Sequence, residues 1–168
     1  MAASDRLVRV EPVAPAITHA LRGRVLRPGA PPDRIRWPAD ELPDTAAFAA
    51  IDEDGDVVGT ALVYPEACPW QTDRAGAWRL RGMATDEARR SSGIGAAVLD
   101  AVIGHVAGVG GTLVWCNARL PARHFYERAG FEAHGDAWDD PDIGPHIAMW
   151  RRVGRADGAG SDGVGPRQ

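Results

Sequence analysis

Residues 89–99, RRSSGIGAAVL, set two arginines and two serines ahead of a Gly-x-Gly and a run of small and apolar residues. A turn of this composition that becomes a helix offers bare backbone N–H groups, the positive end of a helix dipole and a guanidinium. Phosphate is the anion such a turn suits. A nucleoside-triphosphate loop, Gly-x-x-x-x-Gly-Lys, is excluded, because the chain has 19 basic residues and every one is Arg. A dinucleotide fingerprint asks for a third small residue after the glycines and an acidic ribose partner about 20 residues on. Val98 and the stretch around Trp115 stand there instead.

The chain that must position this turn has 168 residues, 45% of them hydrophobic, which suits one ordinary domain with a real core. The expected division is one domain over 1–153 and a disordered Gly-rich tail over 154–168. A net charge of -4 creates no overall attraction to nucleic acid or an anionic membrane. Cys68 and Cys116 are far apart, and Cys116 lies in an apolar strand-like run, where a free buried thiol is the ordinary state. The start, MAASDRLVRV, lacks the apolar stretch of a secretion signal, and no segment approaches the ~20 apolar residues of a membrane span. The expectation is a cytoplasmic protein.

Along the chain, 6–13 alternates as a first strand, and 16–26 carries Ile17, Leu21 and Val25 at helical spacing. The Pro-rich, charged stretch 27–44 reads as a surface excursion with at most one short helical turn. Two β-rich runs joined through Asp54-Gly55 form a hairpin. DEDG resembles a calcium loop, but its Gly comes too early and Val63 stands where the closing Glu belongs. A strand over 76–85 precedes the quoted turn. A helix from about 93 to 107 follows, with Ile94, Ala97, Val98, Ala101 and His105 on one face. TLVWCN is a short strand, 121–128 a helix that stops at Gly130, and 131–138 and 146–153 two closing strands. This order argues for a mixed, mostly antiparallel α/β sheet with helices on both faces.

Arg90-Ser-Ser-Gly93-Ile-Gly95 matches R-x-x-G-x-G after a strand, and FYERAGF follows about thirty residues later. With the strands LRGMAT and TLVWCN between and around them, this region, from about Thr45 to Arg152, resembles the GNAT acyltransferase superfamily. The resemblance implies acetyl-coenzyme A as cosubstrate and a sheet splayed between its fourth and fifth strands. Pyrophosphate would then sit on the amides of Ser91, Ser92, Gly93, Ile94, Gly95 and Ala96 beside Arg90, and the pantetheine arm would pair with Met83, Ala84 and Thr85. Tyr126 would donate a proton to the departing thiolate; a phenol is protonated at neutral pH and donates without charge. Many relatives carry Asn seven residues before that tyrosine. Here Arg119 stands there, so either Asn117 serves from the strand end or Arg119 touches the phosphates.

The general base has several candidates: Glu66 after the third strand, Asp86, Glu87, His124 and His146. His146 opens the final strand, where a side chain can face an acceptor pocket, and an imidazole titrates near neutrality. No metal site is expected, since the five histidines form no i, i+4 pair. Trp37, Trp70, Trp78 and Trp138 are candidates to line an apolar acceptor pocket. The resemblance makes a homodimer the partner to look for, and the expected activity is acyl transfer to a small amine. Its rivals are protein N-terminal acetylation and a non-catalytic acyl-coenzyme-A sensor or partner subunit.

Overall fold

The computed structural model describes residues 7–72 and 75–154. The tail expected to be disordered lies, beyond Gly154, outside them. Seven strands form the sheet: β1 (Arg9–Val13), β2 (Ala46–Ile51), β3 (Val57–Pro65), β4 (Ala77–Thr85), β5 (Leu113–Arg119), β6 (Glu132–Asp140) and β7 (Gly144–Arg152). Their order across the sheet is β1-β2-β3-β4-β5-β7-β6, and only β4 and β5 run parallel. The α-helices are α1 (His19–Leu26), the single turn α2 (Pro32–Ile35), α3 (Ile94–Gly108) and α4 (Arg123–Arg128). Among the described residues no helix is long and apolar enough to cross a membrane.

Period-2 alternation sends the strand residues to opposite faces. Phe48, Ala61 and Val63 pack with α3 in the main core, whereas Ala47, Leu62 and Tyr64 cluster with Ala39 and Trp37 on the other face. The hairpin between β2 and β3 turns as expected: Asp52 Oδ1 accepts the N–H groups of Asp54 and Asp56 at 3.0 Å each, and Gly55 takes φ +86°. The calcium-like DEDG is thus an Asx-closed turn.

Three expectations change. α3 buries Ile94, Val98, Leu99, Val102 and Val106, while Ala97 is exposed. The bulky branched side chains, with more apolar area to bury, set the rotation of the helix rather than the alanines. In the first helical segment Ile17 is 50% exposed, and Leu21 is buried together with Arg22 and Gly23. The stretch 27–44 holds two turns, α2 and a 3-10 turn at Pro38–Glu41. It is anchored inward: Arg22 grips Asp40 with side chains 1% and 4% exposed.

β4 pairs with β5 only through Ala77–Arg79 against Leu113–Trp115. Beyond that point the strands part. The cause lies on β4's other side, where Leu62 faces Arg81 but Thr60 faces Ala84, so Gly82 and Met83 stand opposite the single residue Ala61. Such a bulge bends its strand and increases its twist. Gly82 meets two demands there: φ is +65°, and a Cβ would lie 3.3 Å from both Arg22 Nε and the Trp37 ring.

Candidate active site

β4 ends at Thr85, and the residues that follow lead into the turn at 90–95. Asp86 accepts the Ala88 N–H at 3.0 Å and pairs with Arg24 of α1 at 2.8 Å, and Arg89 reaches Asp52 of the hairpin turn at 3.2 Å. Thus anchored, the chain passes Ser91 (φ +64°) and Gly93 (φ +82°) and enters α3. Ala97 is the first residue of α3 to bond backward, donating to Gly93 O at 3.0 Å. Among the described residues the N–H groups of Ser91 to Ala96 have no backbone acceptor. A row of free amides at a helix start, with Ser91, Ser92 and Gly93 exposed, is a fitting seat for a phosphate group. Arg90 is exposed beside it, its only ion pair among the described residues a loose 3.8 Å approach to Glu87.

The turn connects directly to the helix that carries Tyr126. A Cβ on Gly95 would stand 3.2 Å from the Phe125 ring and 3.4 Å from Thr85 Oγ1, so α4 packs closely on the first turn of α3. Tyr126, next along α4, is 5% exposed and edges onto Phe125 and Phe131 at 5.1 and 5.4 Å. It lines a cavity of about 300 Å³ in the gap between β4 and β5, shared with Gly82, Met83, Cys116 and Asn117. Burial pushes the Tyr126 hydroxyl well above the usual phenol range, and the neighbouring Cys116 adds to the shift. Cys116 is itself pushed up to about 12 by burial, so it is no thiolate nucleophile.

His146 lies on the same cavity, 5% exposed. The sheet places it: β7 sets it opposite Arg119 of β5 on one side and Trp138 of β6 on the other. Its Nδ1 is 2.7 Å from Gly144 O. A carbonyl only accepts, so Nδ1 carries the proton and Nε2 of the neutral ring keeps its lone pair. Trp138 stacks against the imidazole at 5.9 Å.

The other candidates fall in different places. Met83 and Asn117 line the cavity; Ala84 is buried, and Thr85 sits at the amide turn. Arg119 also lines the cavity, but Nη2 donates to Leu26 O at the end of α1, 2.6 Å away, rather than lying on the amide turn. Glu66 is not on the cavity wall. It follows Pro65 at the closed end of the splay and pairs at 3.0 Å with Arg79, a residue of the cavity lining. Of the tryptophans, Trp37 and Trp138 line the cavity. Trp70 instead stacks on His134 at 4.6 Å, and Trp78 belongs to the main core.

Sequence reasoning passed over Arg22 and Asp40. Asp40 Oδ2 accepts the Trp37 N–H at 2.9 Å and faces His19 Nε2 at 3.0 Å, while both carboxylate oxygens accept from Arg22. This knot fixes Trp37 on the cavity wall. No local signal marks it, because its partners are 18 residues apart and each looks like an ordinary surface charge.

The geometry has counterparts among known proteins. The family model described as Acetyltransferase (GNAT) family matches residues 17–131. The uncharacterized N-acetyltransferase YitI of Bacillus subtilis is 30% identical over 147 residues, 88% of this chain and 97% of that protein. Escherichia coli ElaA superposes with a TM-score of 0.70 at 17% identity, covering 86% of this chain and 99% of that one. An aminoglycoside 6'-N-acetyltransferase complexed with coenzyme A gives 0.64 at 18% identity, covering 86% and 97%. A free-amide turn after the fourth strand, a splayed sheet and a whole-length relative agree, and the chain belongs to the GNAT family of acetyltransferases.

Proposed function

We propose that the protein moves an acetyl or other short acyl group from acyl-coenzyme A directly onto the amine of a small molecule. Acyl-coenzyme A supplies, when bound, an activated thioester carbonyl and a thiolate leaving group. The amides of Ser91 to Ala96 hold its pyrophosphate, with Gly93 and Gly95 keeping side chains clear and Arg90 adding charge. The edge of β4 from Met83 to Thr85, which β5 leaves unpaired, takes an extended arm as it would take another strand. An N–H of that edge near Met83 donates to the developing oxyanion.

Tyr126 is the acid. Burial keeps its hydroxyl protonated, so it arrives at the reaction with a proton to give. His146 is the base: with Nδ1–H held by Gly144 O, Nε2 accepts the proton that the amine loses, directly or through a water. Glu66 acts only through Arg79, and Asn117 and Arg119 face the acceptor. A cavity of about 300 Å³ between Leu26, Trp37 and Trp138 suits a small amine better than a protein terminus.

The observation that carries this reading is the gap between β4 and β5, with the amide turn at the end of β4 and a buried phenol on its wall. The test is Tyr126→Phe, assayed by thiol release from acetyl-coenzyme A with a panel of amines and of peptide N-termini. The expected result is a hundredfold or greater loss of kcat with unchanged acetyl-coenzyme A affinity. An unchanged kcat removes the acid role. Preference for peptide termini over every small amine overturns the choice of acceptor.

A further inference from the structure

The cavity wall holds more positive charge than the transfer step uses. Among the described residues four arginines line it, Arg27, Arg79, Arg81 and Arg119, with Asp140 as the one carboxylate. Arg79 is answered by Glu66 at 3.0 Å. The other three guanidinium groups have no carboxylate partner among the described residues. Among the described residues the Arg119 side chain bonds only the Leu26 carbonyl, and Arg81 and Arg22 each lie 4.0 Å from the centre of the Trp37 ring. Arg27 makes no side-chain hydrogen bond or ion pair among those described. Asp140 is committed to its own turn, where Oδ1 accepts the N–H groups of Asp142 at 2.9 Å and Ile143 at 3.2 Å.

All three arginines are half-buried. Burial first, and then the nearby Arg27 charge, lower the pKa of Arg119. Burial also lowers that of Arg22, against the opposing pull of Asp40, and the Arg81 charge adds a smaller push in the same direction. Like charges brought together in a partly desolvated hollow are costly unless something negative joins them. The Arg81 guanidinium is also braced against Trp37, 4.0 Å over the ring. That pre-orders a fork suited to two oxygens of one group. The amide turn does not relieve this charge, because it stands at the far end of β4's free edge, after Thr85.

Resting on the acyltransferase reading, we infer that the acceptor amine carries an oxyanion, a carboxylate or a phosphate, held in the cavity by Arg27, Arg81 and Arg119. The same wall repels polyamines and other polycationic acceptors. Tyr126 and His146 line the same hollow, so a short acceptor held there by its anion has its amine near both.

The full chain is assayed with acetyl-coenzyme A against α- and ω-amino acids, their carboxamides, matching aminoalkyl phosphates and matching diamines. In parallel, calorimetry titrates acetyl-coenzyme A into free protein, and the same amines into protein saturated with coenzyme A. The expected result is a kcat/KM at least tenfold higher for the carboxylate or the phosphate than for the carboxamide, with the better of the two identifying the anion. Arg81→Gln and Arg27→Gln should each reduce that preference roughly ten- to a hundredfold, mostly through KM, and leave acetyl-coenzyme A affinity unchanged. Equal use of carboxamides, preference for diamines, or no difference between the amines in calorimetry overturns the inference. So does a loss of acetyl-coenzyme A affinity in either folded variant, since the guanidinium groups would then serve the cosubstrate. Failure of acetyl-coenzyme A to bind the native protein is a separate result that removes the acyltransferase reading itself.

Discussion

Asp40→Ala removes the carboxylate that ties the Pro-rich stretch to the sheet, and its cost follows from burial. Asp40 and Arg22 have side chains 4% and 1% exposed, and Arg22 Nε already lacks a hydrogen-bond partner. Without Asp40 the guanidinium stays charged in a dry site, a loss of about 3–5 kcal/mol for a buried pair broken on one side. The Trp37 N–H also loses its acceptor, which adds about 1 kcal/mol. Against a total stability of about 5–15 kcal/mol this is a large share, and the thermal midpoint should fall by roughly 10 °C or more. Urea denaturation of wild type and variant, compared at equal slope, measures it. Arg22→Met combined with Asp40→Leu should cost less than Asp40→Ala alone, because no buried charge is then stranded. If Asp40→Ala lies within about 1 kcal/mol of wild type, water reaches Arg22 and the buried-knot argument fails. In the folded fraction, acetyl-coenzyme A affinity should hold while acceptor KM rises, since Trp37 is the residue set loose.

Gly59→Ala would put a Cβ 2.6 Å from Ile94 Cγ2 and 3.2 Å from Ala50 Cβ, so it should cost about 1–3 kcal/mol and weaken acetyl-coenzyme A binding by shifting the start of α3. A melting point at or above wild type contradicts that packing. Cys116 holds its proton more tightly folded, at about 12, than its ordinary 9.0, so its contribution is full below pH 9 and is lost as pH rises towards 12; the raised Tyr126 acts in the same direction. Stability should therefore decline above about pH 9, and a denaturation midpoint that stays flat to pH 11 contradicts the burial argument. His146→Gln should abolish the limb of the pH–rate profile along which activity rises with pH, and a profile of unchanged shape returns the base role to water or another group.

What could be read from sequence is what is encoded locally. The helix start at Gly93 needs only its own glycines and the apolar run after it, and the hairpin needs only the Asp52–Asp56 turn. The parting of β4 from β5 came through the family resemblance, whereas the bulge that opens the gap went unread. Gly82 looks like an ordinary strand glycine until Ala61 is set across from it. The seven-residue spacing to Tyr126 leaves Asn117 and Arg119 as alternatives for one cosubstrate contact; the bond from Arg119 to Leu26 spans 93 residues and is invisible to spacing. Glu66 was a candidate base because it follows a strand, yet that strand runs towards the closed end of the splay. Ile17 misled because its spacing to Leu21 and Val25 is helical, while a Pro-led 3-10 turn at Pro15–Thr18 rotates it outward.

The most direct test of the account is calorimetric titration of the native protein with acetyl-coenzyme A, with NAD as the control. Saturable 1:1 binding of acetyl-coenzyme A and none of NAD is expected. No heat of binding from a folded sample would mean that the free amides of Ser91 to Ala96 seat no pyrophosphate, and the assignment of the site would fall.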